Sequence, residues 1–282
     1  MTRVHLAVPT AAALVVAAFM GQPGIAPAHA ATVLAPHRAV YDLTLTRTRG
    51  KRQIQSVRGR ILYDFNGSPC EGYALQFRQV SEIDSGEGKT ALSDLQATTW
   101  EDGDAKTFRF NSQNTVNDRV VDSVNGNAER SPSQVEVKLT KPDEKTLDLA
   151  AKIVFPTEHM RRIIDAAKEG KTLLELPVYD GSENGEKTYS TLTVIGKEIL
   201  PDEKKPDDAS ADKPALAKLR RWPVTISYFD QGAATGEQLP VYAIGFELFE
   251  NGISRALSLD YGDFVVSGIM SQLELKDTAA CK

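Results

Sequence analysis

Through most of this chain, apolar residues alternate with polar ones over short runs, the period of β-strands that press one face against a core. Ala39, Tyr41, Leu43 and Leu45 share one face of the first run. Val57, Gly59, Ile61, Tyr63 and Phe65 make the second, with Arg58, Arg60 and Asp64 opposite. Asn66-Gly67 then predicts a turn, and Tyr73, Leu75 and Phe77 carry a third strand. Asp102-Gly103-Asp104 separates Trp100 from Phe108 and Phe110. Val120 and Val124 lead to Asn125-Gly126-Asn127, which reads as another turn, and Val135, Val137 and Leu139 alternate again. Later runs cover 173–178, 188–199, 222–229, 241–249, 253–259 and 264–275.

One segment changes period. In the stretch 155–171, Met160, Ile163, Ile164 and Ala167 fall at i, i+3, i+4 and i+7, one stripe of an amphipathic helix. Thr157 is the expected N-cap, Glu158 suits the positive end of the helix dipole, and Gly170 is the stop. Such a helix should plug or cover a sheet face. Residues 201–215, PDEKKPDDASADKPA, have charge and proline but no apolar period, and read as a solvated, mobile loop. The strand pattern is the same on both sides of it, so it divides no domains.

About 13–14 strands with one helix predict a mainly β, single large domain over 31–282. So many strands need closure, barrel-like, or two stacked sheets, to remove exposed edges. An outer-membrane barrel fits poorly. Its strands would be evenly spaced, whereas here a charged loop and an amphipathic helix interrupt them.

The N-terminus changes the setting. Arg3, an apolar stretch from Leu6 to Met20 and the small-x-small triplet Ala28-His29-Ala30 read as a signal peptide over 1–30. The apolar run falls short of the ~20 residues that span a bilayer. No cysteine follows the cleavage point, which argues against a lipid anchor, and no other apolar run is long enough to make the mature chain an integral membrane protein by helices. The whole chain has 33 Lys+Arg and 38 Asp+Glu, and the leader removes one base and no acid, leaving a formal charge of −6. That charge excludes the basic stripe a nucleic-acid binder needs.

The leader also takes two of four histidines, leaving His37 and His159, and the only cysteines are Cys70 and Cys281. No metal set, no cofactor motif and no catalytic set emerges from these. Ser85–Thr90 (SGEGKT) imitates the end of a phosphate loop, but the leading glycine's position holds Ile83, so a hairpin turn is the better reading. Asp180, Ser182, Asn184 and Gly185 imitate half a calcium loop, whose twelfth position holds Thr191 where a glutamate is needed. His159 reads as a helix-flank or packing residue and His37 as a hydrogen-bonding strand-start residue. Glu101, Asp102 and Asp104 read as a turn, and Arg220-Arg221-Trp222 as a strand start. In an exported chain, Cys70 and Cys281 are expected to pair; the alternatives are two free thiols or a bond between chains. The intramolecular bond would close a loop of roughly 210 residues and stabilise by up to about 5 kcal/mol.

Several stretches resemble one family in order along nearly the whole mature chain. They are HRAVYDLTL from His37, GRILYDFNGSPCEGYALQFR around Cys70, FPTEHMRRIIDAA, PVYDGSENGEKTYSTLTVIG, RRWPVTISYFD, FELFENGISRALSLDYGDF and finally Cys281. They resemble the EipB family of periplasmic cell-envelope integrity proteins. The resemblance implies a β-spiral domain with the helix packed in it, a Cys70–Cys281 disulfide, a periplasmic location and a role in maintaining the envelope, with no assigned catalytic residues. The expectation is a non-enzymatic factor, with another envelope protein or a lipid-like ligand as partner. The alternatives are a lipid or lipoprotein carrier, which needs an apolar pocket under the helix, and a hydrolase built on two facing carboxylates.

Thiol labelling of the unreduced, unfolded mature protein should find no free thiol. Two labelled cysteines would refute the bond.

Overall fold

The structure, a computed structural model, describes residues 32–49, 54–86, 88–201, 203–232, 239–278 and Cys281. The signal peptide expected over 1–30 lies outside the described residues. The strands of the first half are β1 (His37–Thr48), β2 (Ser56–Ser68), β3 (Gly72–Asp84), β4 (Thr90–Glu101), β5 (Thr107–Val116), β6 (Arg119–Arg130), β7 (Gln134–Lys141) and β8 (Lys145–Ala150). The helix α1 (Pro156–Lys168) follows. Then come β9 (Leu173–Val178), β10 (Tyr189–Ile195), β11 (Arg221–Asp230), β12 (Tyr242–Phe249), β13 (Ser254–Asp260) and β14 (Phe264–Leu275).

All fourteen strands form one sheet in the order β8-β7-β6-β5-β4-β3-β2-β1-β14-β13-β12-β11-β10-β9. Each neighbour pair is antiparallel, as consecutive short turns require. The chain therefore winds outward from β1 to one edge and crosses through α1. It then winds inward from the other edge until β14 pairs with β1, from His37 opposite Leu275 to Thr48 opposite Phe264. The sheet is not closed. Its two edges approach at one point, where Val154 bridges Val178 in parallel. There the Val154 N–H donates to Pro177 O at 2.9 Å and the Tyr179 N–H to Val154 O at 3.0 Å.

The alternating pattern puts Ala39, Tyr41, Leu43, Ile61, Phe65, Val224 and Leu248 inside, where they form one core with Ile163, Ile164 and Ala167 of α1. Burial of each large aliphatic side chain is worth about 1.5–3 kcal/mol, which is what holds a 13-residue helix that would be marginal alone. A second, smaller core of Phe108, Phe110, Val124, Val137 and Phe155 with Tyr179 lies towards the β8 edge.

Three local expectations are corrected. Thr157 does not cap α1. Phe155 occupies the N-cap without a side-chain bond, because Pro156 fixes the first helical φ one turn position earlier. The cap comes from another element, the last residue of β4. The Glu101 carboxylate accepts the Thr157 and Glu158 N–H groups, each at 2.8 Å. Asn125-Gly126-Asn127 is not a turn either but lies within β6. The β5–β6 turn falls at Asn117 and Asp118, both at positive φ, where their short polar side chains tolerate the left-handed backbone. The Asn66-Gly67 pair likewise stays in β2 and the turn follows it. The stop at Gly170 is as expected, with φ of 73° and its N–H donating to Ala167 O.

In the segment expected to be a solvated loop, charged residues face outward beside a packed stretch. Asp208 and Ala211 are buried. The Arg255 guanidinium bonds Asp208 Oδ1 and Glu247 Oε2, each at 2.5 Å, and Arg221 donates to Glu247 Oε2 at 2.7 Å and to Lys204 O at 2.7 Å. Arg221 and Arg255 are almost fully buried, so the segment is tied to the sheet by desolvated, mutually paired charges. Cys70, in the β2–β3 turn, is bonded to Cys281 beyond β14. Lys276 runs the same way, pairing with Asp64 and bonding Asn66 on β2.

Replacing Glu101 by Ala leaves two part-buried helix N–H groups without their acceptors. Equilibrium unfolding should show a loss of about 2–3 kcal/mol, with hydrogen exchange rising first at Thr157 and Glu158. Unchanged stability would show that the cap is dispensable.

Candidate functional site

The two halves of the sheet and α1 do not fill the space between them. A cavity of about 240 Å³ remains against the helix. Phe65 and Leu75 bound it from the first half, Ile226 and Tyr228 from the second, and Met160 and Ile163 from α1. A second space of about 300 Å³ adjoins it, walled by Leu95, Ala97 and Phe110 and by residues 180–183. Thr99 and Asp180 line both.

His37 and His159 both open onto the first cavity. His37 begins β1, and its Nδ1 lies 2.8 Å from Ala35 O. His159 faces inward from α1, with Nε2 3.4 Å from the Thr191 hydroxyl. Burial lowers the His37 pKa, the Ala35 bond opposing it. Burial, with the Arg162 charge behind it, takes His159 down to about 4. Both imidazoles are therefore neutral near pH 7 and serve as polar spots in an apolar wall.

Asp180 is the one acid lining this cavity among the described residues. Its Oδ1 accepts the Ser182 N–H at 2.9 Å. Burial raises its pKa, and the Ser182 bonds pull it back. The row of rings Tyr189, Tyr228, Tyr242 and Tyr261 continues from it along the second half of the sheet, with centroids 5.2–6.0 Å apart. The half-calcium pattern is thus divided. Asp180 turns inward, Asn184 accepts the Glu186 N–H, and Gly185, at φ 78°, sits where a Cβ would meet Val124 and Leu139.

Glu101 is the residue whose role the sequence hides. It looks like the first acid of a turn, and Asp102 and Asp104 do belong to that turn. Glu101 is 1% exposed, and burial pushes its pKa up to about 7 although two N–H groups and Arg161 pull it down. Each of its oxygens accepts one helix N–H and the carboxylate is buried, so it serves as the cap of the helix. Arg130 and Arg161 complete the joint, pairing with Glu158 at 2.9 Å and donating to Gly103 O at 2.8 Å. Arg221 and Trp222 begin β11, with Arg221 in the buried ion network and Trp222 in the core. Ser85 and Lys89 close the β3–β4 turn through backbone bonds.

Taken together, the cavity can receive an apolar group, with His159, Thr99 and Asp180 available to a hydroxyl or carboxyl at its end. A carboxylate hydrolase needs two acids across a cleft; Asp180 is the one acid in the first cavity, while Asp122 and Glu183 line the adjoining space with it.

The lowered His159 pKa has a sign. The fold favours the neutral ring, so its contribution is complete above pH 6.5 and is lost as the pH falls toward 4, by roughly 3 kcal/mol. Relative to wild type, His159→Gln should flatten the fall in stability between pH 6.5 and 4. In NMR titrations the wild-type His159 ring should stay neutral at pH 6. A ring titrating near 6.5 would contradict its burial.

Comparison with known proteins agrees with this architecture. Cell envelope integrity protein EipB of Brucella abortus (strain 2308) is 41% identical over 262 residues, which cover 93% of this chain and 91% of the relative. A crystal structure of a β-barrel-like protein from Brucella abortus, described as a domain of unknown function, matches with a TM-score of 0.80 at 40% identity, covering 86% of this chain and 99% of that one. Residues 28–277 match the EipB-like family model, and the chain belongs to that family.

Proposed function

We propose that this protein is exported to the periplasm, loses residues 1–30 and supports cell-envelope integrity without catalysing a reaction, by holding a lipid-like ligand inside its sheet. The relative's name supports the envelope role. The leader-like N-terminus and the Cys70–Cys281 bond fit an oxidising compartment. The observation that carries the binding reading is the apolar cavity against α1 with its adjoining space. The first space alone is smaller than most small-molecule sites, and the two joined fall within their usual range of roughly 300–1,000 Å³. Neutral histidines suit the reading, because a charged ring would penalise an acyl chain laid beside it.

Protein isolated from the periplasm without detergent should release lipid on extraction. Ile226→Trp, which fills the cavity at a cost of about 1–3 kcal/mol, should abolish that lipid and fail to restore an envelope-defective strain. Val194→Thr, at an exposed site, should do neither. An Ile226→Trp protein that folds, carries no lipid and still restores the envelope would overturn the proposal.

A further inference from the structure

The outer face of β3–β6 is unlike the rest of the surface. Strand register places Gln76, Thr98, Asn111 and Asn125 in one row across four strands. Beside it lies a row of Arg78, Gln96 and Gln113, and on the other side a row of Trp100, Arg109 and Asn127. A solvated sheet face ordinarily carries many lysines and glutamates. Here the middle of a three-row grid is amide and hydroxyl, in a chain that is 25% charged.

Two shallow grooves run over this grid, of about 470 and 360 Å³, and they share Thr98 and Asn111. Of the two arginines in them, Arg78 is ion-paired, and Arg109 keeps its charge but is stacked on an aromatic ring. Arg78 is paired with Asp94 at 2.8 Å, and the Arg109 guanidinium lies 5.1 Å from the centre of the Trp100 ring. That stack gives one end of the groove a flat wall. Among the described residues, the side chains of Gln76, Thr98, Asn111, Gln113 and Asn127 form no hydrogen bond within the chain, whereas Asn125 is held by Thr140 at 2.6 Å. The free amides each present two donors and an acceptor at a fixed pitch.

We infer that this face binds an uncharged, extended polysaccharide strand, a β-1,4-linked sugar chain lying across β3–β6. Primary amides match the paired donor and acceptor hydroxyls of a sugar ring, and neighbouring strands are about 4.8 Å apart, close to the length of one ring in an extended chain. The planar Arg109–Trp100 stack suits the flat C–H face of a terminal ring. An acidic polymer would need a row of unpaired cations along the groove, whereas Arg109 alone among its described residues is a cation without an ion pair. A nucleic acid would need a basic stripe. The site lies on the opposite side of the sheet from the interior cavity, so it stands or falls independently of the lipid reading.

The test is titration of the mature protein with N-acetylglucosamine hexamer and with cellohexaose, read by calorimetry and by NMR of the side-chain amides. Saturable binding to either is expected, with shifts at Asn111, Gln113 and Asn127, and with little change between about 0.05 and about 0.5 M salt because no ion pair carries it. Asn111→Ala and Gln113→Ala should each weaken it about 5-fold, and Arg109→Ala about 5-fold or more, with unchanged melting temperatures. No saturation with either hexamer, binding that vanishes at the higher salt, or affinity indifferent to all three substitutions would overturn the inference.

Discussion

Everything in this fold depends on the pairing of β1 with β14. It joins an eight-stranded meander to a six-stranded one, between residues more than two hundred positions apart. Without it each half would present a long free edge at what is now the centre of the sheet, the condition that makes β-proteins associate with themselves. The pairing is also late and costly in entropy, because it waits for the last strand and closes the longest loop. The Cys70–Cys281 bond and the Lys276–Asp64 pair sit at the same end of the pair and hold the final segment against β2.

The second constraint follows from the first. Once β1 and β14 are central, the outermost strands are β8 and β9, which are neighbours in sequence, and the connection between them must cross the interior. α1 is that connection. It is fixed at its start by Glu101 from the end of β4, so the helix axis is set by the sheet rather than by its own residues. The cavity is the space left between the helix and the two halves of the sheet. His37, on the strand that starts the sheet, and His159, on the helix, meet there because both belong to this junction.

Much of this was legible in the amino-acid pattern because it is local. Alternation located β1 to β3 by their inward residues, and the i, i+3, i+4, i+7 stripe marked the buried face of α1. What failed has a common cause. Thr157 looks like a cap because caps are usually supplied within a few residues, whereas here the acceptor is 56 positions away. Asn125-Gly126-Asn127 has turn composition, but its asparagines face solvent and its glycine sits where a Cβ would strike Phe110, so packing overrode propensity. Asp208 looked solvated because the arginine that pairs with it, Arg255, comes from a distant strand. The cavity itself has no signature in sequence, since its walls are drawn from both halves of the sheet.

The covalent link between Cys70 and Cys281 also determines how the molecule would bear a mechanical load. A pull applied ahead of β1 and beyond Cys281 passes through the sulfur bridge into Cys70, and from there back along β2 and β1. Everything from residue 71 to residue 280 lies inside a closed covalent loop, so no load passes along its backbone, and it is loaded only through the pairing of β1 with β14 and of β2 with β3. Twelve of the fourteen described strands, the helix and the cavity are therefore outside the covalent line of force. Only β1 and β2 could be drawn out, which limits the extension to a few tens of residues however hard the ends are drawn.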